Sequence, residues 1–339
     1  MNALQRSVDP DLVEMMRAVL TSAAPRAQDL ARRIELDTSL WASLDNLGLV
    51  RLTEPETSGG SGAGWHESAA LIGLCAENGL ALPLGEHDLL AGWLLSRAGV
   101  SPDAHRRTVA ILDSSNQARA VPWATTAERL VVVSPAGSGW TVGEVALADA
   151  VVAAGQNRAG EPRDFVTVPE PPSGTACSTE IIDELHLRGA LLRAVQIAGA
   201  LEGTLRLMVE HAIARVQFGR PLARFQAVQH MTADAASEVA LTRSLVNAAV
   251  GAADLKDKRL PFLVAAARSA AGHAVSVVVR HAHQVHGAIG TTDEHHLHNL
   301  TMPALAWRSE FGSTASWDGE VARAARAAGS GGLWELIAG

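Results

Sequence analysis

The stretch HAHQVHGAIGTTDEHHLH, residues 281–298, places six histidines and two glycines in eighteen positions, and its reading decides the fold. Two chemistries compete for it. His283 and His286 stand three apart on a helix, a spacing a zinc ion can use, and His295, His296 and His298 follow near Asp293 and Glu294. No H-E-x-x-H is present and no cysteine lies near, and histidines at a helix end also cap carbonyls and pack as polar-tipped core residues. Gly287 and Gly290, by contrast, give the helix a turn in which backbone amides can face a diphosphate. The glycines are the expected purpose of the segment, and no metal is expected in it.

Upstream, ARVQFGRPLARFQAVQH (214–230) has the same form. A helix from about Leu185 carries Leu191, Leu192, Val195, Ala198, Leu201, Leu205 and Met208 at i, i+3 and i+4 spacings. It is expected to stop at Phe218-Gly219, with Pro221 as a breaker. Arg215, Gln217, Arg220 and Arg224 then share one exposed corner, where a guanidinium can hold a phosphate through two parallel hydrogen bonds. Phe218 offers a flat stacking face and Gly219 a close backbone approach. An ordinary helix end with Arg in its last turn explains the same residues equally well. Further helices are expected over about 225–255 and 261–285, with a shorter one after Met302. Long helices and short connections imply an antiparallel four-helix bundle.

Ahead of the bundle the texture differs. From Asp9 to about Val100, Leu12, Met15, Met16, Val19, Leu20, Leu40 and Leu44 keep helical spacing, TEPETSGGSGAG (53–64) is a loop, and a helix should begin near Trp65. Between 107 and 170, TVAILD, RLVVVSP, GWTVGEV and DFVTV are short β-branched runs, the chemistry of strands. EPPSGTACS (170–178) reads as a linker. The expectation is a mainly α chain with a small β domain: an N-terminal helical domain over 1–106, a β domain and linker over 107–178, and a C-terminal four-helix bundle over 179–339.

The 339 residues carry 28 Lys plus Arg against 36 Asp plus Glu, a net charge of −8, which argues against a general nucleic-acid binder. Cys75 and Cys177 are far apart, so a disulfide framework is not expected, and Cys75 reads as inert core. MNALQRSVDPDLVEMM lacks the basic-then-apolar pattern of a leader, and no window holds the roughly 18 uninterrupted apolar residues of a spanning helix. A cytoplasmic chain without membrane contact is expected. Asp254, Lys256, Asp257, Lys258 and Arg259 read as a solvated turn.

Taken together, RVQFGRPLARFQAVQHMTADAA and, roughly sixty residues on, QVHGAIGTTDEHHLH resemble the C-terminal domain of acyl-CoA dehydrogenases, with its R-x-x-F-G-x-P-L-x-x-x-Q and Q-x-x-G-G/A-x-G patterns. LWASLDNLGLVRLTEPETSGGSGAG (40–64) resembles that family's N-terminal helical segment, and the helix–β–helix order matches. The resemblance covers nearly the whole chain. It implies FAD, whose adenine–pyrophosphate half rests on the bundle turns while its flavin lies in the neighbouring subunit. Carried over residue by residue, Arg215, Gln217, Phe218 and Gly219 contact it from one turn, and Gln284, Gly287 and Ala288 from the other. It also implies α,β-desaturation of an acyl-CoA: a carboxylate takes the α-proton, a hydride passes to the flavin, and electrons leave to an electron-transfer flavoprotein.

The pattern then fails at the chemistry. In WRSEFGSTASW (307–317), Phe311 and Thr314 hold the Tyr and Thr positions of the family's Y-E-G-T, and Thr314 is a candidate cofactor contact. Gly312 stands where the base belongs. Glu310 lies two residues earlier, as a fallback. The family's other base position, on the first bundle helix, maps near Gly189, flanked by Arg188 and Ala190, where no carboxylate stands either. RAVPWATTAERLVVV (119–133) has no T-E-P-x-A-G-S-D beside it. No catalytic base is therefore expected in this chain. The expectation is a heteromer resembling the α2β2 steroid-CoA dehydrogenases of actinobacteria, in which a paralogous subunit supplies base and flavin pocket. Two alternatives stand beside it: a self-sufficient enzyme using Glu310 or Asp318, and a scaffold without chemistry.

Overall fold

Asp9 starts the first helix by accepting the Asp11 amide at 2.9 Å, with Pro10 at the first helical position. The structure, a computed structural model, describes residues 8–23, 32–137 and 139–338. Residues 1–7, on which the leader-free expectation partly rests, lie outside that description. α1 (Pro10–Ser22) and α2 (Thr38–Asn46, capped by Asp37) pack beside α3 (Trp65–Glu77), which begins at Trp65 as the sequence suggests. The start of α3 is held from the bundle: the Trp65 amide donates to Asp254 at 2.6 Å, and His66 Nδ1 stands 2.5 Å from the same carboxylate. Asp254 is therefore no solvated turn residue, a correction to the sequence reading. A π-helical stretch, Glu86–Gly92, runs into α4 (Trp93–Arg97) and buries Glu86, His87 and Asp88. Met16, Leu44, Leu71, Leu89 and Leu94 share one core with Leu191, Leu192 and Val195 of the bundle. Cys75 lies inside that core, where burial pushes its thiol up to about 12.

Two sheets follow. The first joins β1 (Arg107–Ile111), β3 (Arg129–Ala136), β4 (Gly139–Ala146) and β7 (Thr175–Cys177) in the order β1-β3-β4-β7. β1 and β3 are parallel, and the other pairs antiparallel. The second joins β2 (Gln117–Pro122), β6 (Arg163–Thr167) and β5 (Val151–Ala153), all antiparallel. The four β-branched runs become β1, β3, β4 and β6. β7 falls inside the expected linker, where a three-residue edge strand leaves too short a pattern to read. β2 was hidden because the register shifts between Ala118 and Val121, with Ala120 at φ 54°, which breaks the alternation.

The bundle is α5 (Glu180–Ala214), α6 (Gln226–Leu255), α7 (Leu260–His286), α8 (His298–Trp307) and α9 (Thr314–Ala338). α5 stops at Ala214, not Phe218-Gly219, because the next residues pair as the hairpin β8 (Val216–Gln217) and β9 (Arg220–Pro221). α8 begins four residues before the expected Met302, with Pro303 inside it, and α9 is a long helix the sequence reading did not foresee. Gly329 (φ 63°) breaks the α9 backbone and disguises its length. Among the described residues one helical span, Leu260–Thr291, is long and apolar enough to cross a membrane. It packs against α5, α6 and α9, as the core helix of a bundle does.

Candidate functional site

The two sequence corners meet at one end of the bundle. α5 and α7 run in the same direction with α6 returning between them, and His211 near the end of α5 stacks on His286 at the end of α7, ring centroids 4.5 Å apart. Beyond α5, Phe218 (φ 52°) and Gly219 (φ 78°) are both left-handed, the geometry that matches a two-residue hairpin to the twist of its strands. Holding a Phe there costs about 1–2 kcal/mol. The ring is also 92% exposed, edge-on to the Phe225 ring at 6.2 Å. Arg215 is exposed, and the Gln217 carboxamide, turned with its oxygen toward the guanidinium, accepts at 2.8 and 3.2 Å. Arg220 lies over the Phe225 ring at 4.1 Å.

On the α7 side, Gly287 has φ 65° and ψ −143°, a backbone that a side chain makes costly, and the space its Cβ would fill is open. Gln284, Gly287 and Ala288 are exposed. A bidentate cation, a flat ring and two amide-presenting glycines at one solvent-facing corner are a donor set that fits the ADP half of a dinucleotide. Thr314 is not part of it. Its side chain packs against Gly272, fourteen residues before His286, which is roughly 20 Å along the helix.

Toward that other end lies a cavity of about 960 Å³ between the β domain, the π-helical stretch, α5 and the α8–α9 turn. Leu90, Val121, Phe165 and Phe311 give it apolar walls, and Arg119, Arg158 and Arg308 ring it with positive charge. Arg268, buried among apolar neighbours, holds the α8–α9 turn by donating to the carbonyls of Arg308 at 3.2 Å, Glu310 at 2.8 Å and Gly312 at 3.1 Å. The turn leaves Phe311 at φ 52° and Gly312 at φ 104°. A Cβ on Gly312 would come within 2.7 Å of Trp317 Nε1, and one on Gly189 within 2.3 Å of the Phe311 ring. Gly189 is packed against the residue beside Gly312, Gly312 is packed against Trp317, and neither has room for a carboxylate.

Among the described residues, the carboxylates lining the cavity are Glu86 and Glu310, and both are engaged by Arg193, at 2.8 and 2.7 Å. Arg163 grips Glu310 as well, from Nη2 at 2.8 Å and Nε at 2.9 Å. Burial raises the Glu310 carboxyl, but the Arg193 and Arg163 guanidiniums overcome it and hold it down to about 2. Such a carboxylate is a poor proton acceptor near neutrality. Asp318 accepts from Ser269 at 2.6 Å and faces His273 at 3.1 Å, and it does not line the cavity. The sequence reading missed Arg163, Arg193 and Arg268. Two of them carried a signal: a lone Arg within the apolar runs LLRAVQ and AAARSAA.

The comparisons agree with this anatomy. The model of the acyl-CoA dehydrogenase N-terminal domain matches residues 10–106, and that of the C-terminal domain matches 182–325. Acyl-CoA dehydrogenase IpdE2 of Mycobacterium tuberculosis is 32% identical over 314 residues, which is 85% of this chain and 89% of that protein. In fold, the chain is similar to one in the ChsE4-ChsE5 complex from Mycobacterium tuberculosis, with TM-score 0.83 at 22% identity, covering 95% of this chain and 97% of that one. A chain of the Tcur3481-Tcur3483 steroid ACAD G363A variant gives the same TM-score, 0.83, at 22% identity, with 94% and 98% covered. Matched in its helical layer and its bundle, and a third identical to one relative along most of both chains, the chain belongs to the acyl-CoA dehydrogenase family, oxidoreductases that act on CH–CH bonds.

Proposed function

We propose that this chain is the subunit without a base in a heteromeric, FAD-dependent acyl-CoA dehydrogenase. The observation that carries the reading is the packing of Phe311 onto Gly189 with Gly312 against Trp317, which leaves Glu310, ion-paired twice, as the nearest carboxylate. Arg215, Gln217, Phe218 and Gly219 from one turn, with Gln284, Gly287 and Ala288 from the other, hold the ADP half of an FAD. Bound FAD supplies the hydride acceptor for desaturation of an acyl-CoA thioester. A paralogous partner supplies the base and the flavin pocket, and the electrons leave to an electron-transfer flavoprotein. Thr314 serves the cavity end and not the ADP corner. Exposed Ile213, Val216, Phe218 and Ile289 surround that corner, an apolar patch suited to a subunit contact. Two similar folds come from assemblies whose names carry two chains, one of them a steroid enzyme, which supports a steroid-CoA substrate.

Expression of the chain alone and with its genomic-neighbour paralogue tests this. The expected result is a flavin spectrum and dehydrogenase activity in the co-expressed sample alone. Stoichiometric FAD and full activity from the single chain overturn it.

A further inference from the structure

We infer that His211, His286 and His295 form a site for one divalent transition-metal ion, zinc foremost, joining the ends of α5 and α7 to the loop after Gly290. The inference does not depend on the subunit role proposed above. One ring nitrogen from each of the three lies within 4.8 Å of the others. His286 stands between its partners, its ring centroid 4.5 Å from that of His211 and 4.7 Å from that of His295. Zinc–imidazole bonds of about 2.0–2.1 Å put tetrahedral nitrogens about 3.4 Å apart, so the ligands need close by no more than roughly 1.4 Å on binding. His211 and His295 are half-buried and have room for that movement.

The central ring is already set for coordination. His286 is 5% exposed, and its Nδ1 lies 2.7 Å from the Ala282 carbonyl, which fixes the ring proton there and turns the lone pair to Nε2. That Nε2 is buried and, among the described residues, makes no hydrogen bond of good geometry. The Leu207 carbonyl also lies toward this ring and competes for its one proton in the metal-free protein. The cost falls on the hydrogen bonds to these rings. His295 Nδ1 accepts the Leu297 amide at 3.1 Å, and coordination through either nitrogen of that ring gives this bond up.

The three are not simply the histidines of the 281–298 stretch. His283, the partner suggested by i, i+3 spacing, turns instead to Thr301 at 3.2 Å, and His281 faces Asp234 at 3.8 Å. The third ligand, His211, comes from seventy-five residues before His286 and is invisible to local spacing. Three imidazoles with an open fourth position suit zinc or cobalt better than magnesium or calcium.

Tag-free full-length protein, stripped with a chelator, is titrated with Zn²⁺ by calorimetry and with Co²⁺ by visible absorption. The expected result is one ion per chain, a tetrahedral Co²⁺ spectrum, and roughly a hundredfold weaker binding in His211→Ala and in His295→Ala. His296→Ala, an exposed neighbour, leaves binding unchanged. Thermal melts of the metal-free variants confirm folding, and H295Q replaces H295A if that variant melts early. Absence of stoichiometric binding, or binding indifferent to both His211 and His295, overturns the site.

Discussion

Phe218 carries two costs at once, a ring 92% exposed to water with only the Phe225 edge near it among the described residues, and a left-handed backbone. Residues held this way serve something outside their own fold. Phe218→Ala is expected to leave the melting temperature of the lone chain unchanged or slightly higher, and to lower flavin retention in the co-purified assembly at least tenfold, read from its visible spectrum. Glu310→Gln tests the opposite kind of residue. It leaves Arg163 and Arg193 facing an uncharged amide, at a cost of about 3 kcal/mol in denaturant unfolding. Because the folded carboxyl is held near 2, below its ordinary value of 4.5, its contribution is complete above about pH 4.5 and is lost as pH falls toward 2. The variant should therefore show a flatter acid limb than the parent. Gly312→Glu is expected to destabilise by about 2 kcal/mol and to gain no activity, since φ 104° and Trp317 reject the side chain. That no carboxylate stands at 312 or 189 was legible in the sequence. Its cause was not, because Phe311 and Gly189 meet across more than a hundred residues of chain.

At the scale of elements, positions that periodicity governs were readable, and positions that pairing governs were not. α6 and α7 stand within a residue or two of their expected spans, and α3 starts where expected, because each buries an apolar face that recurs at helical spacing. β2, β7 and the β8–β9 hairpin depend on partners elsewhere in the chain, and their own residues alternate too little to announce them. The π-helical stretch has no sequence signature, yet it concentrates buried charge. Next to it Glu54, 2% exposed, has among the described residues no hydrogen bond to its carboxylate oxygens and one ion contact, Arg51 at 3.7 Å. Burial, then Asp88, raises its carboxyl to about 7. A raised carboxyl favours the fold below its unfolded value of 4.5, and that advantage is lost as pH climbs through about 7. Glu54→Gln is expected to stabilise the protein at pH 8 by on the order of 2 kcal/mol and to have little effect at pH 4, by chemical unfolding at both.

Over the whole molecule, the helical, β, helical order was legible because three textures of residue follow one another along the chain. What joins the parts was not. Asp254, at the end of α6, caps α3 and pairs with His66, a tie between the N-terminal layer and the bundle. Asp254→Ala is expected to cost about 1–2 kcal/mol and to loosen the N-terminal helices first, seen as faster amide exchange in α3 than in α7. The seating of the Phe311 ring over Gly189 reaches further. A side chain added at 189 finds its space taken until the aromatic shrinks, and a shrunken aromatic leaves a void until 189 grows. Neither change succeeds alone, so mutation proceeding one codon at a time meets a valley in fitness whichever way it starts. The two positions therefore work as a latch on the sequence, since neither can change until the other does.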